Sequence, residues 1–160
     1  MDEGEKIKIF LVDDDLMFIE SLKRALSEER AEITTFDNGE DCINHLNETP
    51  EIIILDYVFG NALNGVQVLN KIKHISPQTE VIMLSGIDNK SIMSDTAKYG
   101  AYDFIEKGES AIWKIKNEVK QLCDEIESAN NAQKENHKIV IINAVVIFFV
   151  VVLFLLTRIK

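Results

Sequence analysis

The sequence predicts an α/β fold: a five-stranded, doubly wound parallel sheet with an extended last helix and one transmembrane helix. Short runs rich in Ile and Val alternate with segments of helical periodicity, which is typical of parallel strands buried between two layers of helices. The chain has 160 residues, enough for one well-packed domain and a short appendage. A final apolar run has the length that crosses a bilayer.

Five β/α units follow one another along the chain. The apolar, β-branched runs predict strands at Lys6 to Val12, Ala31 to Phe36, Ile52 to Asp56, Val81 to Ser85 and Tyr102 to Lys107. Helical periodicity predicts helices at Leu16 to Ser27, Gly39 to Leu46, Val66 to Ile75, Ser91 to Tyr99 and from about Ser110 onward. Asp15 is expected to begin the first helix, where a carboxylate accepts hydrogen bonds from free main-chain NH groups.

The last helix carries an apolar stripe with 3-4-3-4-3 spacing: Ile112, Ile115, Val119, Leu122, Ile126 and Ala129. The first half is expected to pack on the sheet as an ordinary fifth helix. The stripe then runs beyond what a compact domain needs, so residues 1–122 are predicted to form the domain and residues 123–138 a helical stalk. Two heptads are too few to establish a coiled coil, but they allow a homodimer through the last helix and stalk.

The run from Ile139 to Leu156 is predicted to span a membrane. Sixteen of its 18 residues are Ile, Val, Leu or Phe, and each favours insertion by roughly 0.3 to 0.6 kcal/mol. A buried strand or core helix would need a partner surface that the rest of the chain is too small to supply. Residues 139–157 are therefore assigned as a single-pass anchor near the carboxyl terminus.

The charge distribution excludes one class of partner. The formal net charge is -10, and up to Glu109 there are 22 acidic residues against 10 basic ones. Nucleic-acid binding needs clustered Lys and Arg, so no nucleic-acid partner is expected. Cys42 and Cys123 belong to no CxxC or Cys/His pattern and are predicted to be reduced thiols. The acidic first residues do not form a signal peptide.

Polar residues end four of the predicted strands. Asp13 and Asp14 follow the first, and Asp56, Ser85 and Lys107 end the third, fourth and fifth. Carboxyl ends of parallel strands meet at one edge, where ligands bind. Converging carboxylates require a cation, and oxygen ligands with room for a phosphoryl oxygen favour Mg²⁺. A hydroxyl and an ammonium opposite would bind that phosphoryl group, so the edge is predicted to serve phosphoryl transfer.

The motifs LVDDD, IIILDY, Asn64–Gly65, VIMLSG and DFIEK, in this order, resemble the receiver domain of two-component response regulators over about Lys6 to Leu122. The resemblance implies a flavodoxin-like receiver fold and phosphorylation of Asp56 by a histidine kinase or phosphotransfer protein. It further implies Mg²⁺ ligands, phosphoryl-binding residues and a switch pair. The implied Mg²⁺ ligands are Asp13, Asp14, Asp56 and the main-chain carbonyl of Val58. The implied phosphoryl-binding residues are Ser85 and Lys107. The implied switch pair is Ser85 and Phe104.

Three positions depart from the family pattern. Gly108 follows the lysine where the family usually has proline. The loop "YVFGNALNG" after Asp56 lacks a common proline and is one residue longer. Phe104 has no hydroxyl, so a switch at this position would be steric rather than hydrogen-bonded.

The resemblance implies a phosphoacceptor rather than an enzyme, with Mg²⁺-dependent autophosphorylation and dephosphorylation at most. This role is expected on the cytoplasmic side of the membrane to which the apolar run would tether the chain. No DNA-binding output pattern is found along the chain. Phosphorylation would change docking to a membrane partner or dimerisation, or the protein would act as a phosphate sink.

Two other functions are considered. Asp13 and Asp15 also match the Asp-x-Asp motif of haloacid-dehalogenase-like phosphatases, in which Asp13 would be the nucleophile. That family needs a later acidic pair at a strand end, whereas Asp124 and Glu125 lie in the stalk, and Asp56 would have no role. A phosphorylation-independent docking module with the same fold remains open.

Overall fold

Strands and helices alternate along the whole sheet-forming part of the chain. A computed structural model describes residues 6–27, 30–58, 63–86 and 90–158. The strands are β1 (Ile7–Val12), β2 (Ala31–Phe36), β3 (Ile52–Asp56), β4 (Glu80–Ser85) and β5 (Asp103–Glu106). The helices are α1 (Leu16–Leu26), α2 (Gly39–Asn44), α3 (Gly65–Ile75), α4 (Lys90–Lys98) and α5 (Ala111–Arg158), with a short 3-10 helix at Leu46–Glu48.

All five strands form one parallel sheet in the order β2-β1-β3-β4-β5. The predicted five-stranded parallel fold is confirmed. The chain first builds outward from β1 to β2 and then crosses back to β3 on the other side of β1. The carboxyl ends of β1 and β3 therefore lie side by side at the point where the strand order reverses, which is where open α/β sheets bind ligands.

The two faces of the sheet are both buried. On one face, strand residues pack with α2, the 3-10 helix and α3 in a cluster of Phe10, Val12, Ile53, Leu55, Val81, Met83, Cys42, Leu46, Val68, Leu69 and Ile72. Alternate strand residues point to the opposite face, and Ile9, Leu11, Ile54, Ile82 and Leu84 are buried there. Burial of each such side chain stabilises the fold by about 1.5–3 kcal/mol, so β1, β3 and β4 are the best-anchored strands.

Helix α2 is shorter than predicted. It was expected to reach Leu46, but it ends at Asn44 and the 3-10 helix follows. The main-chain NH of His45 donates to both Asp41 and Cys42 carbonyls, which tightens the last turn. Thr49 then adopts a left-handed conformation, with φ of 56°, and ends the segment.

The fourth and fifth strands also differ from the prediction by one residue at their ends. β4 begins at Glu80 instead of Val81, because the Glu80 NH donates to the Glu51 carbonyl at 2.8 Å. β5 excludes Tyr102 and Lys107. Their NH groups nevertheless bond to the carbonyls of Val81 and Ser85 at 2.8 and 2.7 Å, so both residues remain held to β4.

Burial keeps the thiol of Cys42 out of reach. Cys42 lies in the α2–α3 side of the core with no exposed surface. Desolvation raises its pKa to about 12, so the thiol stays protonated near neutral pH.

The last helix changes character along its length. Ile115, Val119 and Leu122 are buried, as the predicted stripe requires, and the compact unit ends at Leu122. Residues 123–160 form a separate unit. Its described side chains from Ile139 to Leu153 include no buried residue, and the helix is long and apolar enough to cross a membrane.

Candidate functional site

Three carboxylates meet at the edge where the strand order reverses. Asp13 and Asp14 follow β1, and Asp56 is the last residue of β3. One carboxylate oxygen from each lies within 4.8 Å of the other two. Asp13 and Asp56 are buried, whereas Asp14 is exposed. The structure thus brings together the three acids that the sequence predicts as metal ligands.

Lys107 reaches into this group from the end of β5. Its Nζ lies 2.7 Å from Asp13 Oδ2 and 2.9 Å from Asp56 Oδ1. Its main-chain NH donates to the carbonyl of Ser85, which fixes the residue where it leaves the sheet. The ammonium therefore lies between two buried carboxylates.

The charges in the site shift the pKa values of its buried members. Burial raises the pKa of Asp56; the hydrogen bond and charge of Lys107 offset part of this rise, and the charge of Asp13 adds to it. Burial alone would lower the pKa of Lys107, but its contacts with Asp13 and Asp56 outweigh that effect and raise it. Lys107 is therefore charged at neutral pH. Three carboxylates against one ammonium leave a formal charge of -2 at this edge.

The oxygen atoms of the site fit a hard divalent cation. Asp13 Oδ1 accepts the NH of Asp15 at 3.0 Å. Asp13 Oδ2 is buried, and among the described residues its contact is the Lys107 ammonium at 2.7 Å. Such an oxygen, in a group with excess negative charge, is suited to ligate Mg²⁺.

Two further predicted site residues lie near this edge. Ser85 ends β4 and is fully buried, next to Glu106 in the sheet register. Val58 is half exposed, and its NH donates to Asp56 Oδ2 at 3.2 Å. The proposed role of the Val58 carbonyl as a metal ligand stays a prediction.

Phe104 lies elsewhere. It is half-buried on β5 and packs against the core cluster. It also lines a cavity of about 430 Å³ with Met93 of α4 and Trp113 of α5. Trp113 is 68% exposed, so this face presents an aromatic surface to solvent.

Asp15 has the role expected of a helix start. Its Oδ1 accepts the NH groups of Met17 and Phe18 at 2.9 and 3.1 Å, and it is the N-cap of α1. Since this carboxylate is engaged with the helix, it does not join Asp13 in the metal-binding group. Asp15 is therefore not available as the second acid of the Asp-x-Asp motif that a dehalogenase-like phosphatase needs.

The sequence reasoning missed Phe18. Its ring centroid lies 5.0 Å from Nζ of Lys107. In the sequence, Phe18 looks like an ordinary apolar residue of the first helix. The signal that could have pointed to a place near the site is that Phe18 lies in the first turn of a helix that begins directly after the acidic strand end.

The start of α3 packs on the main chain that carries Asp56. Asn64 caps this helix in a capping box with Gln67, and the Gly65 NH donates to the Tyr57 carbonyl at 2.9 Å. A Cβ at Gly65 would clash with the Asp56 carbonyl oxygen and come within 2.7 Å of Tyr57 Cα. Residues 59–62 of the preceding loop, which is predicted to be one residue longer than usual, lie outside the described residues.

The peptide after Lys107 is not cis, since no described residue follows a cis bond. A Cβ added at Gly108 would meet no atom within 4 Å. The side-chain position where the family usually has proline is therefore open at Gly108.

Comparison with known proteins identifies similar sequences and folds. Residues 9–120 match the family described as Response regulator receiver domain. The chain is 35% identical over 78 residues to the transcriptional regulatory protein CpxR homolog of Haemophilus influenzae, covering 49% of this chain and 34% of that protein. It is 32% identical over 110 residues to a protein-glutamate methylesterase/protein-glutamine glutaminase of Clostridium acetobutylicum, covering 66% of this chain and 32% of that protein. The chain thus spans about a third of the length of these curated relatives.

Solved structures give the same result for the fold. The receiver domain of NtrX from Brucella abortus superposes with a TM-score of 0.65 at 30% identity, covering 72% of this chain and 98% of that one. A CheY-like receiver domain protein from Methanospirillum hungatei JF-1 superposes with a TM-score of 0.71 at 22% identity, covering 78% of this chain and 99% of that one. The second comparison bears on the fold alone.

We predict that Gly65→Ala destabilises the protein by about 1–3 kcal/mol, because main-chain atoms at the clash cannot move aside as a flexible side chain would. Gly108→Ala is the matched control and should change the free energy of unfolding little. Urea unfolding followed by Trp113 fluorescence, with the full chain in detergent micelles, measures both. Equal stability of Gly65→Ala and the wild type would contradict the close approach.

Proposed function

Because this chain belongs to the response regulator receiver domain family, we propose that it is a membrane-tethered receiver that accepts a phosphoryl group on Asp56. The observation that carries the proposal is the convergence of Asp13, Asp14, Asp56 and Lys107 at one sheet edge. The donor would be a histidine kinase or a phosphotransfer protein. The same chemistry allows Asp56 to be phosphorylated by a small phosphodonor, and receivers of this kind are phosphoacceptors rather than enzymes.

The proposed mechanism assigns Asp56 as the nucleophile. One of its carboxylate oxygens attacks phosphorus, the bond from phosphorus to the donor atom breaks, and the donor leaves with the electron pair. Asp13, Asp14, Asp56 and the carbonyl of Val58 would hold Mg²⁺, which when bound supplies positive charge beside the phosphoryl oxygens. Burial keeps bulk water from Asp56, whose surface is almost fully covered.

Lys107 and Ser85 would bind the transferred group. The Lys107 ammonium is already 2.9 Å from Asp56, so a phosphoryl oxygen on that carboxylate would lie within its reach. The Ser85 hydroxyl is at the end of the adjacent strand. When it turns toward the phosphoryl group, Phe104 would repack, and this steric change is the proposed switch.

The proposed output face joins α4, β5 and α5. Phe104 lines its cavity together with exposed Met93 and Trp113. A movement of Phe104 would reshape this cavity, and so alter docking of a membrane partner or pairing of two copies through the last helix. The alternative role is a phosphate sink, in which Asp56 accepts the phosphoryl group and no output surface changes.

Residues 123–138 are proposed as the stalk and residues 139–157 as the membrane anchor. The exposure of the apolar side chains between Ile139 and Leu153 supports an anchor, because large apolar surfaces on a helix need a non-aqueous partner. The acidic body would face the cytoplasm, where its phosphodonor operates. The acidic charge disfavours nucleic acid as a partner.

We predict that incubation of the full chain with an acyl phosphate and Mg²⁺ adds the mass of one phosphoryl group at Asp56. Removal of Mg²⁺ with a chelator should reduce the modification to background, because the negative site then repels the donor. Mass analysis of the intact chain and its peptides locates the group.

Asp56→Asn separates this function from its rivals. It should abolish labelling in a receiver, spare a phosphatase that uses Asp13, and leave a phosphorylation-independent docking module active. Labelling that persists at another residue would contradict the assignment of Asp56.

We predict that the full chain floats with lipid vesicles and resists alkaline extraction. A Val146→Lys, Val150→Lys double variant should be released, since each lysine at mid-span costs about 2.5–3.5 kcal/mol. Lysines at Ser128 and Asn131, outside the span, provide the matched control. Release of the wild type at alkaline pH would exclude a spanning helix.

We predict that phosphorylation changes crosslinking of the protein in membranes. Amine crosslinking with and without phosphodonor should give different patterns for the wild type and one unchanged pattern for Asp56→Asn. Identical patterns for the wild type under both conditions would argue for a phosphate sink instead of a switch.

A further inference from the structure

An aromatic ring lies beside the lysine of the site. The Phe18 ring centroid is 5.0 Å from Lys107 Nζ, within the distance at which a cation and an aromatic face attract. The Lys107 side chain is only 21% exposed, and Phe18 is half-buried. This attraction strengthens as water is removed from the ammonium, so the contact is stronger here than on an open surface.

The main chain that carries the ring is held in place. The Phe18 NH donates to the Asp15 carboxylate, and the Ile19 NH donates to the Asp15 carbonyl at 3.0 Å. Ile19 is buried in the core. The first turn of α1 is therefore anchored on both sides of Phe18.

The ammonium and a main-chain NH contact different oxygens of each buried carboxylate. Asp13 Oδ1 accepts the Asp15 NH and Asp56 Oδ2 accepts the Val58 NH. Lys107 contacts the other oxygen of each. A divalent cation ligated by Asp13 Oδ2 must share that oxygen with the ammonium or displace it, because two positive charges at such short range repel.

We propose that Phe18 is a positioning residue that holds the Lys107 ammonium between Asp13 and Asp56 and thereby sets how readily a divalent cation enters. This inference deepens the proposed function and rests on it. Phe18 touches neither the metal nor the phosphoryl group; it acts through Lys107.

The contact is tested first without metal, on the full chain in detergent micelles. In protein with ¹³C-labelled lysine, the Lys107 ε-CH₂ signal is identified by its loss in Lys107→Met. The ring should shield these protons in the wild type and in Phe18→Tyr, which keeps the aromatic face. The signal should move toward the positions of exposed lysines in Phe18→Leu and in Phe18→Met, and stay in place in Met17→Leu, an exposed neighbour on the same turn.

The consequence is tested by Mg²⁺ titration in a double-mutant cycle. Phe18→Leu should bind Mg²⁺ about two- to fivefold more tightly than the wild type, as expected for loss of one partly desolvated cation–π contact. Phe18→Tyr should restore the wild-type affinity. In the Lys107→Met background the same Phe18→Leu change should have no effect, because no ammonium remains to be held.

Several results would overturn the proposal. These are an unshifted Lys107 signal in both Phe18→Leu and Phe18→Met, an unchanged or weaker Mg²⁺ affinity, or an equal effect of Phe18→Leu in both backgrounds, which would indicate packing alone. Absence of Mg²⁺ binding by the wild type would instead refute the proposed metal site and the control of cation entry with it, while the lysine signal still decides the contact. Failure of Asp56 to accept a phosphoryl group affects neither measurement.

Discussion

The pairing of Lys107 with Asp13 and Asp56 is the interaction on which the rest of the site depends. The sheet register places the ends of β1 and β3 side by side, so two buried carboxylates are forced together by the backbone itself. Buried like charges are unfavourable unless a cation lies between them. Lys107, which follows β5, supplies that cation. Its main-chain NH donates to the Ser85 carbonyl, and this hydrogen bond ties its position to the sheet.

This constraint also explains why the remaining groups are arranged as they are. Main-chain NH groups of Asp15 and Val58 occupy the carboxylate oxygens that Lys107 does not contact. The N-cap at Asp15 turns the chain into α1 directly after the acidic pair and places Phe18 beside the ammonium. The close approach of Gly65 then holds the main chain just beyond Asp56.

Much of the fold and site was predictable because the relevant signals are local. Apolar runs that stop at Asp13, Asp56 and Ser85 mark both the strands and the edge where they end. Parallel topology then brings those residues together without further information. The contact of Phe18 with Lys107 was not predictable in this way, because it joins α1 to the residue that follows β5, far away in the sequence. The end of α2 likewise depends on hydrogen bonds at His45 that no periodicity shows.

The excess negative charge at the sheet edge has a kinetic consequence. Phosphodonors are themselves anions, so the bare edge, with its formal charge of -2, slows their approach. A divalent cation attracted by the same field reverses this effect locally. For the proposed phosphoacceptor, this charge distribution would favour an order of encounter in which the divalent cation binds first and the anionic donor approaches second.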